Sequence, residues 1–278
     1  MGFRLSTVDG RAVLIEGDAW HDLAAASNGL LSEDPMEAVA RHRELHSVAA
    51  ALGGRAADGG VANTTFGPPV PSPRNVFGIG LNYADHAGEA DMALPAKPLV
   101  FTKWPSCITG PTASVELRSE TADYEAELVV VIGDGGRDVS VDDAWDHVAG
   151  IMCGQDISDR RLQFAAQPPH FDLGKSRDTY GPVGPALVSL DLVDDPADLA
   201  VECRVNGETR QSSRTRHLIF DVPFLISYLS TAITLAPGDM IFTGTPEGIG
   251  ATQGLYLQPG DVVETEIAGL GLMRNVCV

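Results

Sequence analysis

The chain has 278 residues, 44% of them hydrophobic, which is enough for one large domain or a large domain with a small appendage. Lysine and arginine number 19 against 38 for aspartate and glutamate, a net charge of −19, so a nucleic-acid backbone or an anionic membrane surface would be repelled. A small carboxylate substrate would need a metal ion or a few placed Lys and Arg residues to invert that field locally.

Cys107, Cys153, Cys203 and Cys277 are scattered and form no C-x-x-C pair, which argues against a zinc knuckle or a disulfide framework and for reduced thiols. No stretch approaches the roughly 18 uninterrupted apolar residues of a membrane span. The start of the chain carries no long apolar run, so the expectation is a soluble, cytoplasmic protein.

Residues 3 to 18 predict a β-hairpin, with Asp9-Gly10 and Glu16-Gly17 as turn signals. Asp34, Pro35 and Glu37 then form a helix start. Met36, Val39, Ala40, Leu45, Val48, Ala49 and Leu52 follow at helical spacing, predicting one amphipathic helix that ends at Gly53-Gly54. The Gly-, Ala- and Pro-rich span from Arg55 to Pro73 has no periodicity and predicts a linker, making residues 1–72 a small N-terminal unit and 73–278 the main domain. From Asn75 onward short apolar strands dominate, many bounded by Pro-Gly or Gly-Asp turns. Two more helices are expected, a short one after Ser140, whose hydroxyl can cap a turn closed by Asp143, and one from Asp221 through Phe224, Leu225, Tyr228 and Leu229 towards Gly238. The phrases Pro237-Gly238-Asp239 and Pro259-Gly260-Asp261 are turn chemistry rather than a repeat. The class is α+β, rich in β.

The stretch from Tyr124 to Ile132, YEAELVVVI, carries the first chemical signal. On a strand the side-chain period is two, so Glu125 and Glu127 share one face with Val129 and Val131. A solvated face is the ordinary reading of such a pair. Both faces here are largely apolar, however, and two buried like charges cost several kcal/mol unless a cation compensates them. Asp156, at the end of the apolar run from Val148 to Gly154, reads by itself as a strand-end cap. With the two glutamates it completes an all-oxygen site suited to Mg2+ or Mn2+ rather than zinc, with Ca2+ as an alternative. His86 and Glu89 are three residues apart, so on a helical turn the carboxylate can orient the imidazole as a general base; the competing reading is an exposed His beside an unrelated Glu. Lys175 in Gly174-Lys175-Ser176 lacks a preceding G-x-x-x-x-G-K pattern, which leaves a surface lysine or a substrate-polarising one.

Seven blocks in order resemble the fumarylacetoacetate hydrolase family: GLNYADHAGE at 80–89, FTKWPSCITGP at 101–111, DYEAELVVVIG at 123–133, GQDISDRRLQ at 154–163, GKSRDTYGPVGP at 174–185, VNGETRQ at 205–211 and GDMIFTGTPEGIG at 238–250. The resemblance covers residues 73 to 275, with 1–72 matching a variable N-terminal segment. It implies a mixed-sheet roll or sandwich, metal ligation by Glu125, Glu127 and Asp156, and a water-activating dyad of His86 and Glu89. It also implies a catalytic Lys175, substrate contacts from Tyr83, Arg160, Gln163 and Thr245, and a homodimer.

The implied reaction is metal-dependent hydrolysis of a C–C bond in a 2,4-diketo acid through a metal-stabilised enolate, with a small carboxylate as substrate. The same enolate serves isomerisation of a 2-hydroxy-diene dioate or decarboxylation of oxaloacetate, so these stay as alternatives. A non-catalytic, metal-stabilised binding protein is a third reading. The stretch from Tyr83 to Pro95 is expected to act as a lid. The family's usual Ser-Ala-Arg-Asp reads Ser158-Asp159-Arg160-Arg161 here, which puts substrate preference in question, and Gln155 replaces a more usual Asn.

Overall fold

The computed structural model describes residues 1–84 and 95–278. The expected hairpin is β1 (Arg4–Val8) and β2 (Arg11–Glu16), turned at Asp9 and Gly10, both at positive φ. The next strands are β3 (Ala19–Asp22), β4 (Gly59–Gly60), β5 (Val76–Gly80), β6 (Leu99–Thr102), β7 (Ile108–Thr109), β8 (Ala122–Asp123) and β9 (Ala126–Ile132). Beyond them lie β10 (Val148–Gln155), β11 (Ser158–Asp159), β12 (Gly181–Val188), β13 (Ala200–Val205), β14 (Glu208–Arg214), β15 (Met240–Phe242), β16 (Val262–Ile267) and β17 (Gly271–Val276). The α-helices among the described residues are α1 (Leu23–Ala26), α2 (Pro35–Ala40), α3 (His42–Ala50), α4 (Arg160–Gln163), α5 (Phe171–Gly174), α6 (Val222–Ala232) and α7 (Gly250–Gln253).

The large sheet runs β4-β3-β2-β1-β12-β10-β9-β15-β5-β6, with β7 added to β12. A four-stranded sheet, β14-β13-β16-β17, packs against it. The two faces of β9 show how the layers form. Leu128, Val130 and Ile132 meet Val201, Cys203, Val263 and Ile267 of the small sheet, whereas Val129 and Val131 turn to Leu5, Leu14, Val39 and Leu45 of the N-terminal segment. A strand covered on both faces must be apolar on both, as the sequence of β9 is.

Several expectations are corrected. The helix predicted from Asp34 breaks at Arg41 into α2 and α3, where the Arg41 N–H still donates to the Glu37 carbonyl while its φ of −112° leaves the helical range. The break turns the second half so that His42, Leu45, Val48 and Ala49 are buried. The span after Arg55 is not structureless: Gly59 and Gly60 pair with β3, and the Gly67 N–H bonds the Thr7 carbonyl. After Ser140 the Ser140–Asp143 turn forms as expected, but only a single 3-10 turn, Ala144–His147, follows. The helix after Asp221 ends at Ala232, short of Gly238.

Residues 1–72 and the main domain share one sheet, because β1 pairs with β12, and one apolar cluster. Among the described residues no helix is long and apolar enough to cross a membrane.

Candidate metal and substrate site

Glu127 lies within β9, Glu125 just before it, and Asp156 just beyond the end of the neighbouring β10. The register places Gly154 opposite Glu127 and Gln155 opposite Ala126, so the two strand ends bring the three carboxylates together. One ligand oxygen from each lies within 4.8 Å of the others, and all three residues are buried. The spread is close to the roughly 3–4 Å between neighbouring oxygens around one small divalent ion. The donor set is all carboxylate, as a hard cation requires.

The backbone is built to hold these side chains. Gln155 Oε1 accepts the Glu125 N–H at 2.9 Å, and Gln211 Oε1 accepts the Ala126 N–H at 2.9 Å. Gly244 donates its N–H to Glu127 Oε2 at 2.7 Å. Its φ of +106° is open to glycine, and an added Cβ would come within 2.7 Å of Asn82.

Three buried cations surround the carboxylates. Lys175 Nζ donates to Glu125 Oε2, Asp156 Oδ2 and Ser158 Oγ, each at 2.8 Å. Arg160 places NH2 2.6 Å from Glu125 Oε1 and Nε 2.9 Å from Asp123 Oδ2. Lys103, with no exposed surface, donates to Asp156 Oδ1 at 2.7 Å, to the Tyr180 carbonyl at 3.1 Å and to the Lys175 carbonyl. Burial is the largest influence on Lys103 and would lower its pKa, but the charge and hydrogen bond of Asp156 together with the charges of Cys107 and Glu127 outweigh it and hold the ammonium above its ordinary value. The balance is similar at Arg160, where burial is outweighed by Glu125 and Asp123.

Glu127 differs. Burial pushes its carboxyl well above the usual carboxylate range, and the neighbouring charges of Asp156 and Glu125 push it further. A divalent cation at these oxygens would offset that repulsion, so the residues present fit a metal ion.

A cavity of about 240 Å3 opens beside Glu125, and its lining includes polar Arg160, Gln163, Lys175 and Thr245 and apolar Leu99, Phe164 and Phe171. Gln163 Oε1 accepts from Arg160 NH1 at 3.1 Å, and Thr245 Oγ1 bonds both the Ala126 carbonyl and Gln211 Nε2. Tyr83 is fully buried in a bridge with Leu218 and does not line this cavity. His86 and Glu89, and most of the Tyr83–Pro95 stretch expected to form a lid, lie outside the described residues. A larger groove of about 660 Å3, lined among others by Trp145, Phe220 and Phe224, has none of the three carboxylates in its lining.

The sequence reading missed Lys103 and Asp123. Each sits in a motif block, and the signal for Lys103 was a lysine inside the apolar run LVFTKW of a chain poor in basic residues. Asp123 accepts the Gly250 and Ala251 N–H groups at the start of α7 as well as Arg160, tying three segments together.

Residues 75–278 match the model of the fumarylacetoacetate (FAA) hydrolase C-terminal domain. The chain belongs to the fumarylacetoacetate hydrolase family. Its relatives include the mitochondrial oxaloacetate tautomerase FAHD2A of Bos taurus, 42% identical over 221 residues that make up 78% of this chain and 70% of that protein. Among solved structures, a Mycobacterium smegmatis protein provisionally assigned as HpcE is 44% identical with a TM-score of 0.90, covering 99% of both chains. Maleylpyruvate hydrolase from Sphingobium sp. SYK-6, in complex with manganese(II) and pyruvate, is 31% identical with a TM-score of 0.82, over 99% of this chain and 98% of its own. Family members are thus enzymes of several reaction types, and the fold is that of the family.

Proposed function

We propose that this family member is a divalent-metal-dependent enzyme acting on a short 2-oxo acid through its enol form, with keto–enol conversion of oxaloacetate as the leading reaction. The observation that carries this reading is the convergence of Glu125, Glu127 and Asp156 in a buried site whose open side presents Lys175 and Arg160. The choice of oxaloacetate is supported by relatives at 42% identity that are named oxaloacetate tautomerases.

Glu125, Glu127 and Asp156 would hold Mg2+ or Mn2+, and a bound ion there would supply a Lewis acid for the 2-oxo group. Lys175 and Arg160 hold the two oxygens of Glu125 and keep positive charge beside the cavity, where negative charge develops as the proton leaves the carbon next to the carbonyl. Gln163, whose amide oxygen takes the Arg160 N–H, has its amide nitrogen left to donate and would orient a carboxylate, while the Thr245 hydroxyl proton goes to the Ala126 carbonyl. Phe164, Phe171 and Leu99 add apolar surface to the cavity lining, which a bound substrate would cover. His86 oriented by Glu89 is the proton acceptor that the family resemblance supplies.

A second reading, hydrolysis of an acylpyruvate, uses the same groups with His86 taking a proton from water instead of from carbon. It is favoured by the spacing of His86 and Glu89 and by the likeness to maleylpyruvate hydrolase. One experiment separates the two: incubate enol-oxaloacetate, acetylpyruvate and fumarylpyruvate with Mg2+, Mn2+ or EDTA, following loss of the enol absorbance, pyruvate release and CO2. Metal-dependent enol loss without pyruvate or CO2 supports tautomerisation. Pyruvate from an acylpyruvate supports hydrolysis, CO2 from oxaloacetate a decarboxylase, and no turnover of any of these refutes the proposal.

A further inference from the structure

Asp159 stands beside Arg160 in the chain, yet its side chain neither lines the cavity nor reaches solvent; it is 1% exposed. Five donors converge on it. Oδ1 accepts Ser119 Oγ at 2.7 Å, Thr121 Oγ1 at 3.2 Å and the Leu162 N–H at 3.2 Å, while Oδ2 accepts Arg177 Nε at 2.9 Å and NH2 at 2.8 Å. A carboxylate this fully donated to is held in one place, and its bonds to a guanidinium are among the stronger kinds. Arg161, the other half of the departure, is exposed and its side chain is also absent from the cavity wall.

The position of this pair in the chain gives it a consequence. Asp159 immediately precedes Arg160 and caps the one-turn helix α4 that carries Arg160 and Gln163. Arg177 lies two residues beyond Lys175. The two segments are pressed together at Gly174, where an added Cβ would stand 2.8 Å from the Gln163 nitrogen and 3.0 Å from the Asp159 carbonyl oxygen. Arg160 and Lys175 then meet at the two oxygens of Glu125, at 2.6 and 2.8 Å. A helix of one turn cannot hold itself, so its placement depends on such anchors.

We infer that the Asp159–Arg177 pair is a positioning clamp, which sets Arg160 and Lys175 relative to one another at the substrate end of the site without touching the metal ligands. The inference rests on the reading that these two cations face the substrate.

The test uses oxalate, a planar dianion resembling the enolate of a 2-oxo acid, titrated calorimetrically into Mn2+-loaded protein. Mn2+ affinity without oxalate is measured by electron paramagnetic resonance, and KM and kcat on oxaloacetate are measured in parallel. Arg177→Met acts at a partly exposed side chain and Asp159→Asn keeps the buried shape, so both variants are expected to fold. Each should weaken oxalate and raise KM by about 10- to 100-fold, the scale on which a misplaced binding group acts. Mn2+ affinity should fall by less than oxalate affinity: neither Asp159 nor Arg177 bonds a carboxylate of the metal site, and the shift reaches Glu125 and Asp156 only through Arg160 and Lys175. The double variant should be no worse than the worse single one, and Arg177→Lys should recover part of the loss.

Unchanged oxalate affinity in both single variants overturns the clamp, and so do independent, multiplying effects in the double variant. Mn2+ affinity falling in step with oxalate affinity would also overturn it, by showing that the pair supports the carboxylates instead. Wild-type protein that neither binds oxalate nor turns over a 2-oxo acid overturns the site reading itself and the clamp with it.

Discussion

Lys103→Met removes the most deeply buried of the site's three cations. The replacement keeps a long, flexible stem in a position with no exposed surface, but removes the ammonium that Asp156 Oδ1, the Tyr180 carbonyl and the Lys175 carbonyl all use. Removing one partner of a buried ion pair costs about 3–5 kcal/mol, because the remaining charge is left desolvated. Asp156 keeps Lys175 at 2.8 Å, which places the expected loss towards the lower end of that range. Total stabilities run about 5–15 kcal/mol, so the variant should fold but be visibly weakened.

With a urea m value of about 3 kcal/mol per molar, the midpoint falls by about 1 M. The assay is equilibrium urea unfolding in EDTA at pH 7, followed by tryptophan fluorescence. Saturating Mn2+ should then return part of the lost stability, about 2.7 kcal/mol at one hundred times the dissociation constant. A midpoint within about 0.3 M of wild type in EDTA would refute the reasoning, since it would mean that the desolvation of Lys103 cancels its attraction to Asp156.

Glu127→Gln should stabilise the metal-free protein at neutral pH while cutting Mn2+ affinity at least about 100-fold, read by urea unfolding and by calorimetry. Since the folded pKa of Glu127 is raised, the native state binds more protons than the unfolded one. Its contribution is therefore complete below the unfolded value of about 4.3 and is lost as pH rises through the raised folded value. The advantage of Glu127→Gln over wild type should accordingly grow with pH, and parallel pH profiles would count against the assignment. Mn2+ uptake by wild type should release a proton, measurable as a buffer-dependent binding enthalpy, and the variant should release less. A protein beginning at residue 73 loses β1 from β12 and uncovers the face of Val129, Val131, Met152, Val183 and Leu187; it should aggregate, and a soluble, cooperatively unfolding product would show that the main domain stands without residues 1–72.

How much of the site could be read from residue order depends on how far apart the partners lie in the chain. Glu125 and Glu127 were legible because a strand's period of two puts them on one face, and because the apolar residues around them marked a strand covered on both sides. Asp156 was legible only as the end of an apolar run, and the register of β9 with β10 is what brings it across. Lys103 and Asp123 form their bonds to residues 53 and 37 positions away, to Asp156 and Arg160, and no local pattern encodes such pairs. The helix break at Arg41 was hidden for a different reason: Met36, Val39 and Ala40, and then Leu45, Val48, Ala49 and Leu52, each keep helical spacing, and the slip of phase between Ala40 and Leu45 is the local trace of the bend that buries His42 and Val48.

The departure at Asp159 and Arg161 shows the converse. Read in order, two charges exchanged beside Arg160 suggest an altered substrate pocket. In the fold, Asp159 faces Ser119, Thr121 and Arg177 behind α4, and Arg161 points to the surface. The residues of this helix that line the cavity are Arg160 and Gln163. A change of preference through Asp159 therefore has to act by moving Arg160 and Lys175 rather than by offering the substrate a new charge. That is a shift a calorimetric oxalate titration registers even where turnover on one chosen substrate does not change.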